Sequence, residues 1–175
     1  MAQLSMSLFE TPFGIGRVWG NSSGIVQVDL PATPGNTDMS QSYGIQKFES
    51  MHTRMASEQL SGYFAGRVKV FEIPVDLSGY SVFQQKVLEE ARKIQFGKVL
   101  SYKQVALKLG SAKWARAVGG VMAANRIPII IPCHRVVASS GHLTGFSAPG
   151  GINLKKYLLN LEQVDFMGDS TVSVI

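Results

Sequence analysis

Disulfide bonds are the first feature that the sequence excludes. The chain of 175 residues contains one cysteine, which has no partner for an internal disulfide. A protein without disulfides suits a reducing compartment, so we expect a cytoplasmic location, or a nuclear one in a eukaryote. Charged residues are also scarce, at 17%, while hydrophobic residues make up 45%. This composition is typical of a compact globular protein with enough chain for one large core or two small domains.

Signals for membranes and metals are missing as well. No run approaches the roughly 20 apolar residues that span a bilayer, and the N-terminus lacks the basic and apolar segments of a secretory signal. Cys133, His134, His142 and His52 have no recognised metal-ligand spacing, so we expect no membrane association, no metal and no cofactor. The net charge of +5, with a pI near 9.4, is compatible with a polyanionic partner but does not establish one.

Residues 1–75 predict a sheet domain. Runs rich in β-branched and aromatic residues between 6 and 30 are separated by turn residues, which is the hairpin pattern. Residues 31–44 are polar and rich in glycine and proline, so we expect a surface loop there. A helix over 57–64 and a strand over 68–75 complete this part. It contains no cluster of polar residues that suggests chemistry, and its expected role is structural.

Helices dominate residues 76–162, which predict a second domain and an α+β fold class. Residues 81–84 form a capping box, in which a serine caps the helix and a glutamine three residues later bonds back to it. This helix is expected to run to Ile94. A second capping box at 101–104 begins a short helix that ends at Gly110.

A third helix, capped by Ser111 and running to about Ala124, is the most informative. Helical spacing predicts one buried stripe, formed by Trp114, Val118, Val121 and Met122. The opposite face is small and smooth and consists of Ala112, Arg116, Gly119, Gly120 and Ala123. Two glycines inside a helix each cost roughly 1 kcal/mol relative to alanine, so we expect another surface to approach this face closely.

The tight turn at 110–111 makes the second and third helices a candidate helix-turn-helix. Arg116 would then be the one long side chain that protrudes from a smooth face. Close packing against a neighbouring helix explains the glycines equally well, so the residues alone leave both interpretations open.

The only cysteine, Cys133, lies in a stretch of apolar, β-favouring sequence. Three isoleucines at 129–131 precede it, and two valines follow His134 and Arg135. This pattern predicts a buried, extended segment that presents one sulfur in a defined direction. Most lone cysteines are small core hydrophobes, yet an adjacent imidazole and guanidinium favour the reactive thiolate.

The direction of the neighbouring side chains limits that interpretation. In an extended segment consecutive side chains point to opposite faces, so His134 would reach Cys133 only through a bridging water or a bend. From the residues alone, a reactive thiol and an inert core cysteine stay equally supported.

Several blocks of this sequence together resemble the O6-alkylguanine-DNA alkyltransferases. They are residues 132–136 (PCHRV), 116–120 (RAVGG), Asn125, 96–102 (FGKVLSY) and 158–162 (LLNLE). The resemblance is continuous from about Val70 to Glu162, and these blocks in this order are very specific. It implies a ribonuclease-H-like sheet domain followed by a helical domain with a helix-turn-helix. It also implies DNA repair by stoichiometric, self-inactivating transfer of the alkyl group from O6-alkylguanine.

The resemblance also implies which residues carry the reaction. Cys133 would accept the alkyl group, His134 would deprotonate it through a water, and Glu162 would orient the imidazole. Asn125 would tie the third helix to the active-site turn. Tyr102 would donate a proton towards N3 of the leaving guanine.

Recognition of the base and of DNA follows from the same resemblance. The carbonyls of Cys133 and Val136 would read the guanine amino group, and the amide of Ser147 would meet O6. The nucleotide would rotate out of the duplex, Arg116 would fill the gap, and the smooth helix face would lie in the minor groove. Further DNA contacts are implied for Lys103, Ser111, Ala115, Gly119 and Ser139. The expected partner is double-stranded DNA, bound by a monomer.

Some features depart from the family pattern. Phe146 replaces a tyrosine often found before the active-site serine, which removes a hydroxyl near O6. The following loop carries an additional Ala148–Pro149 pair, and Trp114 is larger than the usual small residue. Residues 163–175 fall outside the resemblance, and we expect a disordered tail.

Other classes of protein stay open. A helix-turn-helix regulator would explain Arg116 and the basic charge but leaves the cysteine–histidine pair without a task. A lesion-binding relative without transfer activity is disfavoured, because such proteins lack the acceptor cysteine. A thiol hydrolase would use Cys133 and His134 and would turn over on an ester or amide.

Overall fold

The computed structural model describes residues 4–31 and 49–174 and divides into two compact units, Met1–Leu77 and Ser78–Ile175. It contains both an antiparallel sheet and a set of helices, so the α+β fold class is confirmed. Apart from residue 31, the loop predicted at 31–44 lies outside the described residues. None of the described helices is long and apolar enough to cross a membrane.

The first unit is an antiparallel sheet covered by a helix. The strands are β1 (Ser5–Thr11), β2 (Gly14–Asn21) and β3 (Gly24–Asp29), and each pairs with its neighbour in sequence. Helix α1 (Met51–Phe64) packs its buried side against this sheet, and the ring of Phe64 stacks on that of Phe9 with the centroids 6.5 Å apart. The pairing of each strand with its neighbour agrees with the predicted hairpin pattern, and burial alternates along β2.

Helix α1 begins at Met51, well before the predicted start at residue 57. Ser50 caps it: the Ser50 hydroxyl accepts from the Thr53 amide at 3.2 Å, and the Thr53 hydroxyl accepts from the Ser50 amide at 3.1 Å. This is a capping box in which threonine takes the place of the usual Glu or Gln. The earlier start was missed because the sequence pattern for a capping box asks for those longer side chains.

The strand predicted over 68–75 is wrong. Only Val75 pairs, in an isolated bridge with Ile25, and Val70 is 71% exposed. The segment alternates apolar and polar residues as a half-buried strand does. A strand, however, also needs a continuous partner for its backbone groups, and alternation alone does not supply one.

The second unit is mostly helical. Its elements are α2 (Val82–Arg92), β4 (Leu100–Ser101), α3 (Tyr102–Lys108), α4 (Ala115–Ala123), β5 (Val136–Val137), α5 (Gly151–Leu161), β6 (Phe166–Gly168) and β7 (Thr171–Val172). Both predicted capping boxes, at 81–84 and 101–104, are present. The short parallel pairing of β4 with β5 places the start of α3 beside the segment that follows Cys133.

Trp114 is not part of the buried stripe, contrary to the prediction. The three other positions of the stripe are buried, but Trp114 is 42% exposed. Residues 112–114 form a 3-10 turn capped by Ser111, and α4 begins only at Ala115. A 3-10 turn advances about 120° per residue instead of about 100°. The helical phase is therefore lost before Ala115.

The C-terminal residues are folded, so the expectation of a disordered tail is wrong for residues 163–174. Strands β6 and β7 form an antiparallel hairpin, and Val172 is fully buried in the core of this unit. The hairpin also pairs with the loop before α5, because the Leu143 amide donates to the Ser170 carbonyl at 2.9 Å and the Val172 amide to the Gly141 carbonyl at 3.0 Å. The tail therefore supports the segment that leads into the pocket described below.

Candidate active site and nucleic-acid interface

Cys133 lies in a tight turn, not in the extended segment that the sequence predicted. Residues 133–135 form one 3-10 turn between Pro132 and strand β5. From the sequence, His134 could reach Cys133 only through a bridging water or a bend in the chain. The 3-10 turn is such a bend. Asn125, two residues after α4, holds the approach to the turn: its side-chain nitrogen donates to the Ile131 carbonyl at 2.9 Å.

The approach to the turn is also strained. The side-chain oxygen of Asn125 accepts from the Ile127 amide at 3.0 Å, and between these two anchors Ile129 adopts a φ of +73°. Positive φ is rare for a β-branched residue and persists only where the surroundings enforce it. The link from α4 to the cysteine turn is therefore fixed at both ends by one side chain.

Behind the turn, His134, Arg135 and Glu162 form one buried hydrogen-bonded group. His134 Nε2 lies 2.7 Å from Glu162 Oε1. Arg135 donates to both carboxylate oxygens of Glu162, at 2.8 and 2.9 Å, and to the Ile94 carbonyl at 2.6 Å. The three residues are at most 5% exposed. Its position in the sequence predicted Arg135 near the thiolate but did not predict its two hydrogen bonds to Glu162.

This group fixes the charges of its members. Burial alone would raise the pKa of Glu162, but His134 and Arg135 hold that pKa far below its usual range. Burial lowers the pKa of His134, against the opposing effect of Glu162. At neutral pH the group therefore consists of a carboxylate, a guanidinium and a neutral imidazole. A neutral imidazole can accept a proton.

The thiol of Cys133 is protonated at rest. Burial raises its pKa, while a hydrogen bond with the Asn125 side chain and the charge of Lys155 act in the opposite direction. Only 6% of the residue is exposed. The thiolate is the nucleophilic form, so Cys133 needs a base at the moment of reaction.

Cys133 lines a mostly apolar pocket of about 270 Å³. This volume lies just under the range of about 300–1,000 Å³ that holds drug-sized ligands, so the pocket suits a group of the size of one flat base. Helix α4 forms one wall through Gly119, Met122 and Ala123. The other wall consists of Tyr102, Gly145, Phe146 and Ser147.

Lys155 is the residue of this site that the sequence analysis missed. It lies on α5, is fully buried, and donates from Nζ to the Val136 carbonyl at 2.7 Å and to the Thr144 carbonyl at 3.3 Å. Burial lowers its pKa to about 8. Because lysine is rarely buried without a partner charge, the residue type did not predict a buried position for Lys155. Its spacing from the buried Leu158 and Leu159, three and four residues on, is the signal that could have identified it.

Tyr102, the first residue of α3, shares an acceptor with Lys155. Its hydroxyl donates to the Thr144 carbonyl at 3.4 Å. Burial raises the pKa of Tyr102, so the phenol keeps its proton at neutral pH and can donate it. Thr144 immediately precedes the pocket residues Gly145–Ser147, so these two donors hold the segment that contributes those residues to the pocket.

Of the residues implied for reading the base, Cys133 and Ser147 line this pocket, whereas Val136 is fully buried on β5. The Val136 carbonyl already accepts from Lys155, but a carbonyl has two lone pairs and can accept a second donor. Ser147 lies exposed at the pocket wall, and Phe146 lines the pocket without a hydroxyl to offer. Their roles towards a base stay predictions.

The residues implied for DNA contact lie on the surface beside the pocket. Arg116, Lys103 and Ser139 are exposed, and Ser111, Ala115 and Gly119 are partly exposed. Gly119 belongs to both the smooth face of α4 and the pocket wall. A ligand on this face of α4 would therefore lie next to the pocket.

Charge is distributed unevenly along the chain. Residues 91–161 contain eleven lysines and arginines and no aspartate or glutamate, although the net charge of the whole protein is only +5. The net charge of the whole chain does not reveal this segment, which includes α3, α4 and α5. Glu90 and Glu162, on either side of the segment, pair with Lys93, Lys108 and Arg135. The excess of positive charge that remains favours a polyanionic partner. Among residues 4–31 and 49–174, no cluster of His, Cys, Asp or Glu could hold a metal ion.

Several known proteins that resemble this chain in sequence are named for one activity. Residues 82–164 match the family model of the DNA-binding domain of 6-O-methylguanine DNA methyltransferase. The chain is 34% identical to the methylated-DNA–protein-cysteine methyltransferase of Methanosarcina acetivorans, over 89% of this chain and 96% of that protein. A protein of the same name from Mycobacterium bovis is 44% identical over 67% and 69% of the two chains.

A solved structure extends this similarity to the fold. The crystal structure of Mycobacterium tuberculosis OGT in complex with DNA matches with a TM-score of 0.75 at 33% identity. The match covers 91% of this chain and 92% of that one, so it includes the units on both sides of Leu77.

Proposed function

Because this chain belongs to the methylated-DNA–protein-cysteine methyltransferases, we propose that it repairs DNA by moving an alkyl group from O6 of guanine to the sulfur of Cys133. The observation that carries the proposal is the position of Cys133. Its buried thiol lines a pocket of the size of a base, and the next residue is a neutral histidine held by a buried carboxylate. The product is a thioether, which does not readily release its alkyl group, so each molecule reacts once.

The reaction needs a thiolate and a proton for the leaving base. The thiol proton passes through a water to His134, whose Nε2 is engaged by Glu162, and the carboxylate stabilises the imidazolium that forms. Arg135 keeps Glu162 ionised. Asn125 and Lys155 supply the interactions that favour the thiolate.

Transfer is then an in-line displacement at the alkyl carbon. The S–C bond forms while the C–O6 bond breaks, and the electron pair of the broken bond goes to guanine. Tyr102 donates a proton to N3 of the leaving base, and the proton held by His134 returns through solvent to restore the tyrosine. The Val136 carbonyl and the Ser147 amide hold the amino group and O6 of the base.

The pocket accepts only a base that has left the duplex, because a stacked base cannot reach a buried thiol. Arg116 fills the vacated space, while the smooth face of α4 lies in the minor groove. Phosphate and sugar contacts come from Lys103, Ser111, Ala115, Gly119 and Ser139. One copy of the chain acts alone, in the compartment that holds the DNA, the cytoplasm or a nucleus.

A label-transfer experiment tests the acceptor. Wild-type protein and Cys133→Ser are incubated with duplex DNA that carries radiolabelled O6-methylguanine. Label should move to wild-type protein up to one methyl per chain and then stop, whereas the variant should bind the duplex without taking label. Transfer to Cys133→Ser, or continued turnover by the wild type, would contradict the proposal.

A second arm of the experiment tests rotation of the base. The ratio of alkyl transfer from the duplex to transfer from free O6-benzylguanine is measured for wild type and for Arg116→Ala. This ratio should fall at least about tenfold in the variant, because the free base needs no gap to be filled. An equal loss on both substrates would show that Arg116 acts in the pocket or in folding.

A further inference from the structure

Trp114 is a large aromatic residue at the start of the helix that faces DNA in the proposed function. It is 42% exposed, although the sequence pattern placed it in the core. A single exposed apolar side chain is common on protein surfaces and decides nothing alone. Its surroundings give it more meaning.

The ring of Trp114 is held in a fixed position on one side. It meets the ring of Phe83 on α2 edge to face, with the centroids 5.9 Å apart and the planes at 85°. The other neighbour is the turn before α4, where a Cβ on Gly110 would lie 3.7 Å from the indole. The indole is therefore positioned by two neighbours while much of its surface stays accessible.

The residues next to Trp114 along the chain carry positive charge. Lys113 and Arg116 flank Trp114 in sequence and are both exposed, and no acidic residue occurs between 91 and 161. Gly119, which lines the pocket, lies on α4, five residues after Trp114 in the chain. An aromatic ring in such a setting favours a partner that combines negative charge with flat or apolar groups.

We propose that Trp114 is a DNA-contact residue of this chain, and that its indole packs against the deoxyribose and base edges of a nucleotide next to the lesion. The inference rests on the proposed function and adds to it a contact by a large aromatic side chain immediately before α4. Nucleic acid supplies a phosphate for Lys113, the gap that Arg116 fills, and an apolar sugar and base for the ring. Apolar and aromatic side chains pack in this way where a duplex is unstacked.

Binding measurements test the contact directly. All proteins carry Cys133→Ser, which prevents transfer. Fluorescein-labelled duplex containing O6-methylguanine is titrated with the protein that keeps Trp114 and with its Trp114→Phe and Trp114→Ala variants. Trp114→Ala should bind about tenfold more weakly, a change of about 1.4 kcal/mol, and Trp114→Phe should recover most of the loss. Met167→Ala, which removes an apolar side chain that is 69% exposed on β6, serves as the matched control.

The fluorescence of Trp114 provides a second test, which needs no substitution of Trp114 itself. The chain has two tryptophans, so Trp19→Phe leaves Trp114 as the only reporter. Addition of the same duplex should change the emission of Trp114 by at least about a fifth, since stacking on bases alters indole fluorescence. This reading stays valid even if Trp114→Ala does not fold.

Transfer rates connect the contact to repair. In protein with Cys133 restored, the ratio of transfer from duplex to transfer from free O6-benzylguanine should fall about tenfold in Trp114→Ala and change less than twofold in Met167→Ala. This inference alone would be overturned if Trp114→Ala repaired and bound duplex normally and the emission of Trp114 did not change on addition of duplex. A wild-type protein that neither binds duplex nor takes up label would overturn the proposed function together with it.

Discussion

The two units bury different kinds of polar side chain. Among the described residues, those buried in the first unit are hydroxyls, Ser5, Ser7 and Thr53, and the Ser7 hydroxyl donates to that of Thr53 at 3.0 Å. Those buried in the second unit are Ser101, His134, Arg135, Lys155 and Glu162, and all but the serine are ionisable. The sheet unit therefore satisfies its interior with neutral groups, and the helical unit does so with charges.

This difference distinguishes a scaffold from a reactive centre. A buried hydroxyl with a partner has little net effect on stability, whereas each buried ion costs several kcal/mol of desolvation before its pairing is counted. Stability alone therefore does not explain why the second unit buries several ionisable groups. Each ionisable group buried in the second unit lies within the site built around Cys133, so the buried charge marks the chemistry.

The largest expected effect comes from breaking the charged group. Glu162→Gln removes the carboxylate charge that Arg135 and His134 share, and it leaves a buried guanidinium without its counter-ion. We expect a loss of about 3–5 kcal/mol in the free energy of unfolding. Thr53→Val in the first unit removes a buried hydroxyl and part of a helix cap, and should cost about 1 kcal/mol. Urea unfolding of both variants measures the difference, and equal losses would contradict the comparison.

The depressed pKa of Glu162 determines the direction in which the free energy of unfolding changes with pH. The pKa of this carboxyl is depressed in the fold relative to its ordinary value of 4.5, so its contribution to stability is present above that pH. It is lost as the pH falls towards the folded pKa. Wild-type protein should therefore lose stability more steeply below about pH 4.5 than Glu162→Gln does.

A smaller effect is expected from the other buried charge, Lys155. Its pKa is about 8 in the fold against 10.5 ordinarily. Between these values the unfolded chain binds a proton that the fold does not, so this lysine makes the free energy of unfolding rise with pH. The rise is at most about 3 kcal/mol. Lys155→Met should lack it, and unfolding in urea at pH 7 to 10 measures the change.

Neighbouring groups set the control for that measurement. Burial raises the pKa of Cys133, which makes stability fall with pH in the same region, so only the difference between variant and wild type isolates Lys155. Lys156→Met alters the next residue, whose side chain is 38% exposed, and should keep the wild-type profile. Indistinguishable profiles for Lys155→Met and Lys156→Met would show that Lys155 is not titrating as a buried group.

Local rules in the sequence predicted much of this fold. The capping boxes at 81–84 and 101–104 were correct because a cap depends on residues a few positions apart. The strand predicted over 68–75 was wrong because a strand depends on a partner that is distant in sequence. The burial predicted for Trp114 was wrong because it assumed that the helix continues without a change of phase. Periodicity could not show that a strand lacks a partner or that a 3-10 turn precedes α4.

The site was predicted unevenly for a similar reason. The blocks around Cys133, His134 and Glu162 are identified by their resemblance to a family, and the structure brings these residues to one turn. Lys155 and the pairing of Arg135 with Glu162 depend on which of several cations points inwards. Side-chain direction of that kind is decided by packing, which no short pattern encodes.

The smallest expected effect is that of the reaction itself on the fold. Cys133 is almost fully buried, and adding a methyl to a packed site commonly costs about 1–3 kcal/mol. The thiol is neutral at rest, so alkylation removes no charge, and the pocket beside the sulfur leaves room for a small group. The cost should therefore lie near 1 kcal/mol, with the loss of the Asn125 hydrogen bond as its main part.

A shift of this size is measurable as a change in melting temperature. Protein reacted with a methylated oligonucleotide and then freed of DNA should melt about 2–4 °C below fresh protein. Cys133→Ser treated in the same way should not shift, because it takes no methyl group. Asn125 joins the cysteine turn to α4, so the reacted protein should also bind duplex more weakly. An unchanged or higher melting temperature after methylation would show that the pocket accepts the thioether without strain, and that the second unit is less tightly constrained than its buried charges indicate.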